Sequence, residues 1–133
     1  MGSMRHVLRQ RFTGIKQGDN FSFESTIFVG CEFKDIVSEG AQIDSHFVKC
    51  SFDNVDWYWC IGHSPVFIDC DFNSCDLRGS FFSASFIECR FTGCNTGNDN
   101  LGGTTEWEDS VATQCTLVRT VLPIVAKDRT TTE

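Results

Sequence analysis

The chain has 133 residues, 41% of them hydrophobic and 22% charged, with a formal net charge of −7. That length suits one compact domain around a single core and excludes two. No run of eighteen apolar residues is present, which excludes a membrane-spanning helix, and the acidic balance argues against direct binding of nucleic acid.

At the amino terminus, Met1-Gly2-Ser3 ahead of Met4 reads as a cloning scar, and no apolar secretory stretch follows. Residues 4–12 place Val7, Leu8 and Phe12 among basic residues, as an initial strand or a capping segment would. A six-residue phrase then occurs four times: Phe28-Val29-Gly30-Cys31-Glu32-Phe33, Phe47-Val48-Lys49-Cys50-Ser51-Phe52, Phe67-Ile68-Asp69-Cys70-Asp71-Phe72 and Phe86-Ile87-Glu88-Cys89-Arg90-Phe91. Its cysteines lie 19, 20 and 19 residues apart, the period of a solenoid whose coils bury their apolar face only by stacking.

A shorter beat runs inside each coil. Large apolar residues stand five apart through Phe23, Phe28, Phe33, Ile43, Phe47, Phe52, Trp57, Phe67, Phe72, Leu77, Phe82, Phe86 and Phe91, with steps of four before Phe47 and Phe86 and with Ser38 or Gly62 filling a slot. Small residues such as Cys31, Cys50, Cys70, Cys75, Ser80 and Ala84 stand two positions earlier. A period of five fits neither a helix nor an ordinary strand. It fits a chain that turns a corner every five residues and closes four faces in about twenty, with the large and the small residue inside.

Cys70-Asp71-Phe72-Asn73-Ser74, Cys75-Asp76-Leu77-Arg78-Gly79 and Ser80-Phe81-Phe82-Ser83-Ala84 each follow the order small, any, Leu or Phe, then two polar or small residues. In this the chain resembles the pentapeptide-repeat family over roughly residues 21 to 94. The resemblance implies an all-β fold, a right-handed quadrilateral β-helix. Four or five coils at about 4.8 Å would stand about 20–25 Å tall. One domain is expected over residues 4–126, with a loop insertion at 95–110, a carboxy-terminal cap at 118–126 and a disordered tail at 127–133. The cap could also mediate dimerisation, so monomer and homodimer both stand.

Eight cysteines in a small chain raise the question of disulfides. Cys31, Cys50, Cys70 and Cys89 share one phase of the repeat, where a small buried hydrophobe is needed, so reduced structural thiols are the expectation and a cytoplasmic location follows. Disulfides between stacked coils remain the alternative. No Cys-x-x-Cys, phosphate loop or nucleophile motif is present, so neither metal, cofactor nor catalysis is expected.

Charge is uneven. Residues 19–109 carry sixteen acidic against four basic side chains, net −12, whereas residues 1–18 carry Arg5, Arg9, Arg11 and Lys16 and no acid. A solenoid with regularly spaced carboxylates attracts basic proteins, or is simply a solubilising surface. Two breaks in the repeat are candidate partner-binding sites. One is Asp53, Asp56, Tyr58, Trp59 and His63 around an inward Trp57. The other is Glu106, Trp107, Glu108 and Asp109 in the insertion. Exposed aromatics beside carboxylates anchor protein partners, although each aromatic could equally pack onto its own domain. The expected function is a small acidic inhibitor of a basic protein, of immunity-protein or antitoxin type, the partner being a toxin or a nucleic-acid-binding enzyme. The resemblance implies another reading, a DNA mimic acting on a topoisomerase, and a passive scaffold is the third.

Overall fold

The structure, a computed structural model, describes residues 4–127 and 131–132. The chain winds as a parallel β-solenoid of about five coils. The first face stacks β1 (Arg5–Leu8), β3 (Thr26–Val29), β6 (His46–Val48), β9 (Val66–Ile68), β12 (Ser85–Ile87), β15 (Val111–Thr113) and β17 (Val125–Lys127). The second stacks β2 (Arg11–Thr13), β4 (Glu32–Val37), β7 (Ser51–Asp56), β10 (Asp71–Asn73), β13 (Arg90–Thr92), β16 (Thr116–Val118) and β18 (Thr131–Thr132). On the third, Asp56, Asp76 and Asn95 bridge in parallel. The fourth stacks β5 (Gln42–Ile43), β8 (Cys60–His63), β11 (Gly79–Phe82) and β14 (Glu106–Glu108).

The five-residue step has a backbone cause. Each corner places one residue in the left-handed region: Lys49, Asp69, Glu88 and Gln114 between the first and second faces, Asp35, Asn54 and Ser74 between the second and third. A single such residue reverses the direction of the outward pair and starts the next short strand. The sequence supplies mostly Gly, Asn, Asp or Ser there, which accept this conformation most readily.

Inside, the rings stack rung on rung. Phe28, Phe47, Phe67 and Phe86 form one ladder with centroids 4.8–5.1 Å apart, and Phe33, Phe52, Phe72 and Phe91 a second at 4.6–4.9 Å, all successive planes within 11° of parallel. Between ladders the rings meet edge to face at 5.2–5.3 Å. Such pairs add about 0.5–1.5 kcal/mol each to the burial of the rings. Trp57 fills the third face as expected, fully buried against Phe23 and Phe52.

All eight cysteines are free and buried. They serve as small slot-fillers that also satisfy the backbone: the thiols of Cys50, Cys70, Cys89 and Cys115 donate to the carbonyls of Phe28, Phe47, Phe67 and Phe86 in the preceding coil, at 3.2–3.4 Å. Ser45 plays the same part with a hydroxyl, accepting from the Thr26 amide and donating to the Phe23 carbonyl.

Three expectations are corrected here. Phe81, not Phe82, points inward, because the step of four falls between Leu77 and Phe81; Gly79 rather than Ser80 then takes the small slot, where a Cβ would stand 2.4 Å from the Cys60 carbonyl oxygen. The insertion is narrower than 95–110. Asp76 pairs with Asn95 at the ordinary spacing, but Ser80 pairs with Glu106, 26 residues on, so the extra length lies between Asn95 and Glu106, and 106–108 is a regular strand. The tail is not wholly irregular: Thr131 and Thr132 pair with Thr116 and Leu117, while residues 128–130 and 133, like the 1–3 segment, fall outside the described residues. Of the segment expected as a cap at 118–126, Val118 ends β16 and Val125–Ala126 lie in β17, stacked parallel on β15, while Leu122 joins the core. Among the described residues no helix is long and apolar enough to cross a membrane.

Candidate protein-docking face

On the third face, outward side chains stand in vertical columns. Val37, Asp56, Asp76 and Asn95 form one, through parallel pairing. Glu39, Tyr58 and Arg78 form the next, set by hydrogen bonds from the Gly40 amide to the Tyr58 carbonyl and from the Trp59 amide to the Arg78 carbonyl.

Arg78 organises this surface. Its guanidinium grips Asp76 through Nε and Nη2, the latter at 2.6 Å, and lies 4.5 Å above the centre of the Tyr58 ring. Its Nη1 donates to the Asn98 carbonyl and to Asn100 Oδ1, both at 3.2 Å. The Tyr58 hydroxyl accepts from the Asn100 amide at 2.8 Å. The inserted segment is thus held as a small hairpin, closed by an antiparallel bridge between Asn98 and Thr104. Asp99 braces its tip, accepting from the Leu101 and Gly103 amides at 2.8 and 2.9 Å.

Trp59 stands at the rim between the third and fourth faces. It occupies a left-handed corner at φ 64°, where the preceding coil uses Gly40 at φ 74°, and its side chain is 51% exposed. An L-residue in this conformation carries about 1–2 kcal/mol of strain, and a bulky one is a rare occupant. Beside it the hairpin overhangs the fourth face and leaves a cavity of about 260 Å³, lined by Trp59, Ile61, Arg78, Ser80, Asp99 and Thr104 among others. Leu101, at the hairpin tip, is 82% exposed.

The electrostatics are net anionic despite Arg78. Partial desolvation, followed by the neighbouring Asp56 and Asp76 carboxylates, holds the Glu39 carboxyl above the usual glutamate value, with Arg78 pulling the other way. Three carboxylates, Glu39, Asp56 and Asp76, stand here against one guanidinium.

The nine expected partner-binding residues separate in space. Asp56, Tyr58 and Trp59 share the third face and its rim. Asp53 is round the corner on the second face, paired between Lys34 and Asn73. His63, Glu106, Glu108 and Asp109 belong to the fourth face and its far corner, where His63 stacks on Phe82 at 6.2 Å and Phe82 pairs with Glu108. Trp107 is corrected from exposed anchor to core: it is buried and stacks on Phe81 at 4.5 Å, because β14 is a regular coil strand and residue 107 is its inward position. Sequence reasoning missed Glu39, Arg78 and Leu101. The phase of the repeat held the signal for two of them, since Glu39, Tyr58 and Arg78 lie 19 and 20 residues apart. Among the described residues no group of His, Cys, Asp or Glu is placed to hold a metal ion.

A four-sided parallel β-solenoid stepping every five residues, with rings and thiols inside, is the pentapeptide-repeat fold. The chain is similar in structure to a trypsin-treated form of QnrB1, described as a plasmid-mediated fluoroquinolone resistance protein, with a TM-score of 0.58 and 16% identity over 96% of this chain and 92% of that one. The full-length form of the same protein aligns with a TM-score of 0.43 and 12% identity, over 96% and 93%. At these identities the likeness is one of fold. No protein-family model matches the chain, and no curated protein sequence does.

Proposed function

We propose that the chain is a non-catalytic protein-binding module, a small acidic inhibitor that occupies a basic partner protein in the manner of an immunity protein or antitoxin. The observation that carries this reading is Trp59, a half-exposed indole kept at a left-handed corner where glycine suffices one coil earlier. Backbone strain retained at an exposed aromatic is expected where the side chain has work outside the fold. Around it, Glu39, Asp56 and Asp76 would steer a cationic partner, and Tyr58 and Leu101 would supply apolar contact. Eight free buried thiols favour a reducing compartment, which we take to be the cytoplasm.

The test is affinity capture at low salt from the source cell, with wild type, Trp59→Gly and Asp56→Lys run in parallel and captured proteins identified by mass spectrometry. Retention of a basic protein by wild type and its loss with both variants is the expected result. Equal capture by all three would remove this face from consideration.

A second reading has the fold in its favour. Some pentapeptide-repeat proteins resemble duplex DNA in charge and shape and act on topoisomerases, and residues 25–109 carry a net charge of −10. Inhibition or protection of a purified bacterial type II topoisomerase in a supercoiling assay, unaffected by Trp59→Gly, would favour this alternative.

A further inference from the structure

The cavity under the hairpin has a chemistry of its own. Ile61 and Ser80, paired neighbours on the fourth face, line it from the solenoid. Trp59 lines it from the rim, and Asp99 and Thr104 line it from the hairpin. Its volume of about 260 Å³ lies below the roughly 300–1,000 Å³ of pockets for drug-sized ligands, and suits one long side chain.

The groups around it select the charge of that side chain. Arg78 also borders the cavity, but its Nε and Nη2 hold Asp76, its Nη1 holds Asn98 and Asn100, and its plane covers Tyr58. Its charge is compensated before any ligand arrives. Asp99 is the opposite case. Its Oδ1 accepts from the Leu101 and Gly103 amides at 2.8 and 2.9 Å, which fixes the carboxylate. Its Oδ2 has no hydrogen-bond or ion-pair partner among the described residues. Gly103 makes room for that oxygen, since a Cβ there would stand 2.7 Å from it. Ser80 is paired in turn with Glu106, which places a second carboxylate beside the pocket.

The indole of Trp59 completes the set. It is 51% exposed and is held from one side by Tyr58, whose ring meets it at 5.9 Å and 75°. Trp presents the best aromatic surface for a cation. A cation that lies flat on an indole while donating to a carboxylate and to hydroxyls is a guanidinium. An ammonium supplies the charge but neither the plane nor the fork of donors. We infer that the cavity is a recognition pocket for a single arginine side chain of the partner, with the guanidinium against Trp59 and bonded to Asp99 Oδ2. This rests on the reading of the surface as a docking face for a basic protein, and names what that protein presents there.

The probe is Nα-acetyl-L-arginine methylamide, titrated at constant ionic strength into the isotope-labelled full chain and followed by NMR. The lysine and citrulline derivatives are run beside it. Saturable shifts of the Trp59 indole and of the Ile61, Ser80 and Gly103 amides are expected, with a Kd on the order of 1–10 mM for one side chain. The lysine derivative should bind several-fold more weakly. Citrulline, the uncharged isostere, should bind about tenfold more weakly or worse. Asp99→Asn keeps the Oδ1 contacts that brace the hairpin and removes the charge, so it should weaken arginine binding about tenfold with the hairpin amide signals in place. The absence of a saturable shift overturns the inference. So does equal binding of arginine and either control, or full binding by Asp99→Asn. The pocket and the docking face fail separately. If Trp59→Gly loses a captured basic protein and Asp99→Asn keeps it, the pocket is wrong and the docking face stands. If arginine binds as expected and no basic protein is captured, the pocket stands and the inhibitor reading falls.

Discussion

Gly62 and Phe81 occupy one site between them: a Cβ built on Gly62 would stand 2.7 Å from Cδ1 of the Phe81 ring in the next coil. The fourth face has a vacant large-residue slot at Gly62, and the ring above leans into it. Phe81 in turn supports Trp107, parallel to it within 2°. Gly62→Ala should therefore destabilise the fold by about 1–3 kcal/mol through overpacking, and Phe81→Ala by about 3–5 kcal/mol. In denaturant unfolding the double variant should lose less than the sum, because truncating the ring relieves the clash.

Trp57 and Trp59, two residues apart, should respond in opposite ways. Trp57 is fully buried with its indole N–H unpartnered. Trp57→Ala should cost about 3–5 kcal/mol. Trp57→Phe removes an unsatisfied donor while keeping a ring, and should cost less than half as much. Trp59→Gly removes no core contact and relaxes a left-handed backbone, so stability should change by about 1 kcal/mol or less in either direction. Thermal unfolding of the three variants checks this.

Arg78 holds the hairpin to the third face. Arg78→Ala leaves Asp76 without its ion-pair partner and releases Asn98 and Asn100; discounted for residual solvent exposure, the expected loss is about 1–2 kcal/mol. Amide exchange should accelerate over residues 98–104 and remain slow in the Phe ladders. Arg78→Lys should not restore protection, because an ammonium cannot hold the Asp76 carboxylate in two places and reach Asn98 as well.

The thiols should be inert in the native state. Burial pushes the Cys60 thiol up to about 12 and likewise raises the Cys89 thiol, whereas hydrogen bonds from neighbouring cysteines pull Cys70, Cys94 and Cys115 down. All eight are buried, so access rather than ionisation limits reaction. A thiolate must be reached to act as a nucleophile, so intact-mass analysis after iodoacetamide at neutral pH should show no adducts, and eight after denaturation. Rapid modification of the native protein would contradict the packed column of cysteines.

Glu39 sets the pH response of the candidate face. Its folded-state value is raised, mainly by desolvation and then by Asp56, so the protonated form is favoured by folding. That contribution is present below the unfolded value and is lost as pH rises through the raised one. Glu39→Gln should thus raise the melting temperature at neutral pH, with the gain vanishing in acid. A cationic partner favours the ionised cluster, so its affinity should weaken as pH falls through the Glu39 titration, and Glu39→Gln should flatten that dependence.

Much of this architecture is legible in the chain itself. The phrase around Cys31, Cys50, Cys70 and Cys89 marks coils of about twenty residues, and the inward phase of Phe28, Phe47, Phe67 and Trp57 follows from the beat of five. Legibility fails where the step shortens. From Leu77 onward, a five-residue step selects Phe82 and a four-residue step selects Phe81; both are phenylalanine, and a slip of one exchanges the two faces of the strand. Trp107 fails for a related reason, since Gly, Asn and Asp around residues 95–103 disguise the point at which the regular coil resumes.

The sequence by itself determined that the chain winds into a four-sided tube, because small and large inward slots five residues apart can be buried in no other regular way. It also determined that the tube is anionic, while the structure shows its eight cysteines unbridged and buried. Only the tertiary structure decided which outward residues are neighbours. Glu39, Tyr58 and Arg78 meet through coil stacking, and Arg78 reaches Asn98 and Asn100 because the inserted segment folds back over the face. Those contacts join residues about twenty apart, and they depend on the register between coils, which no local pattern specifies.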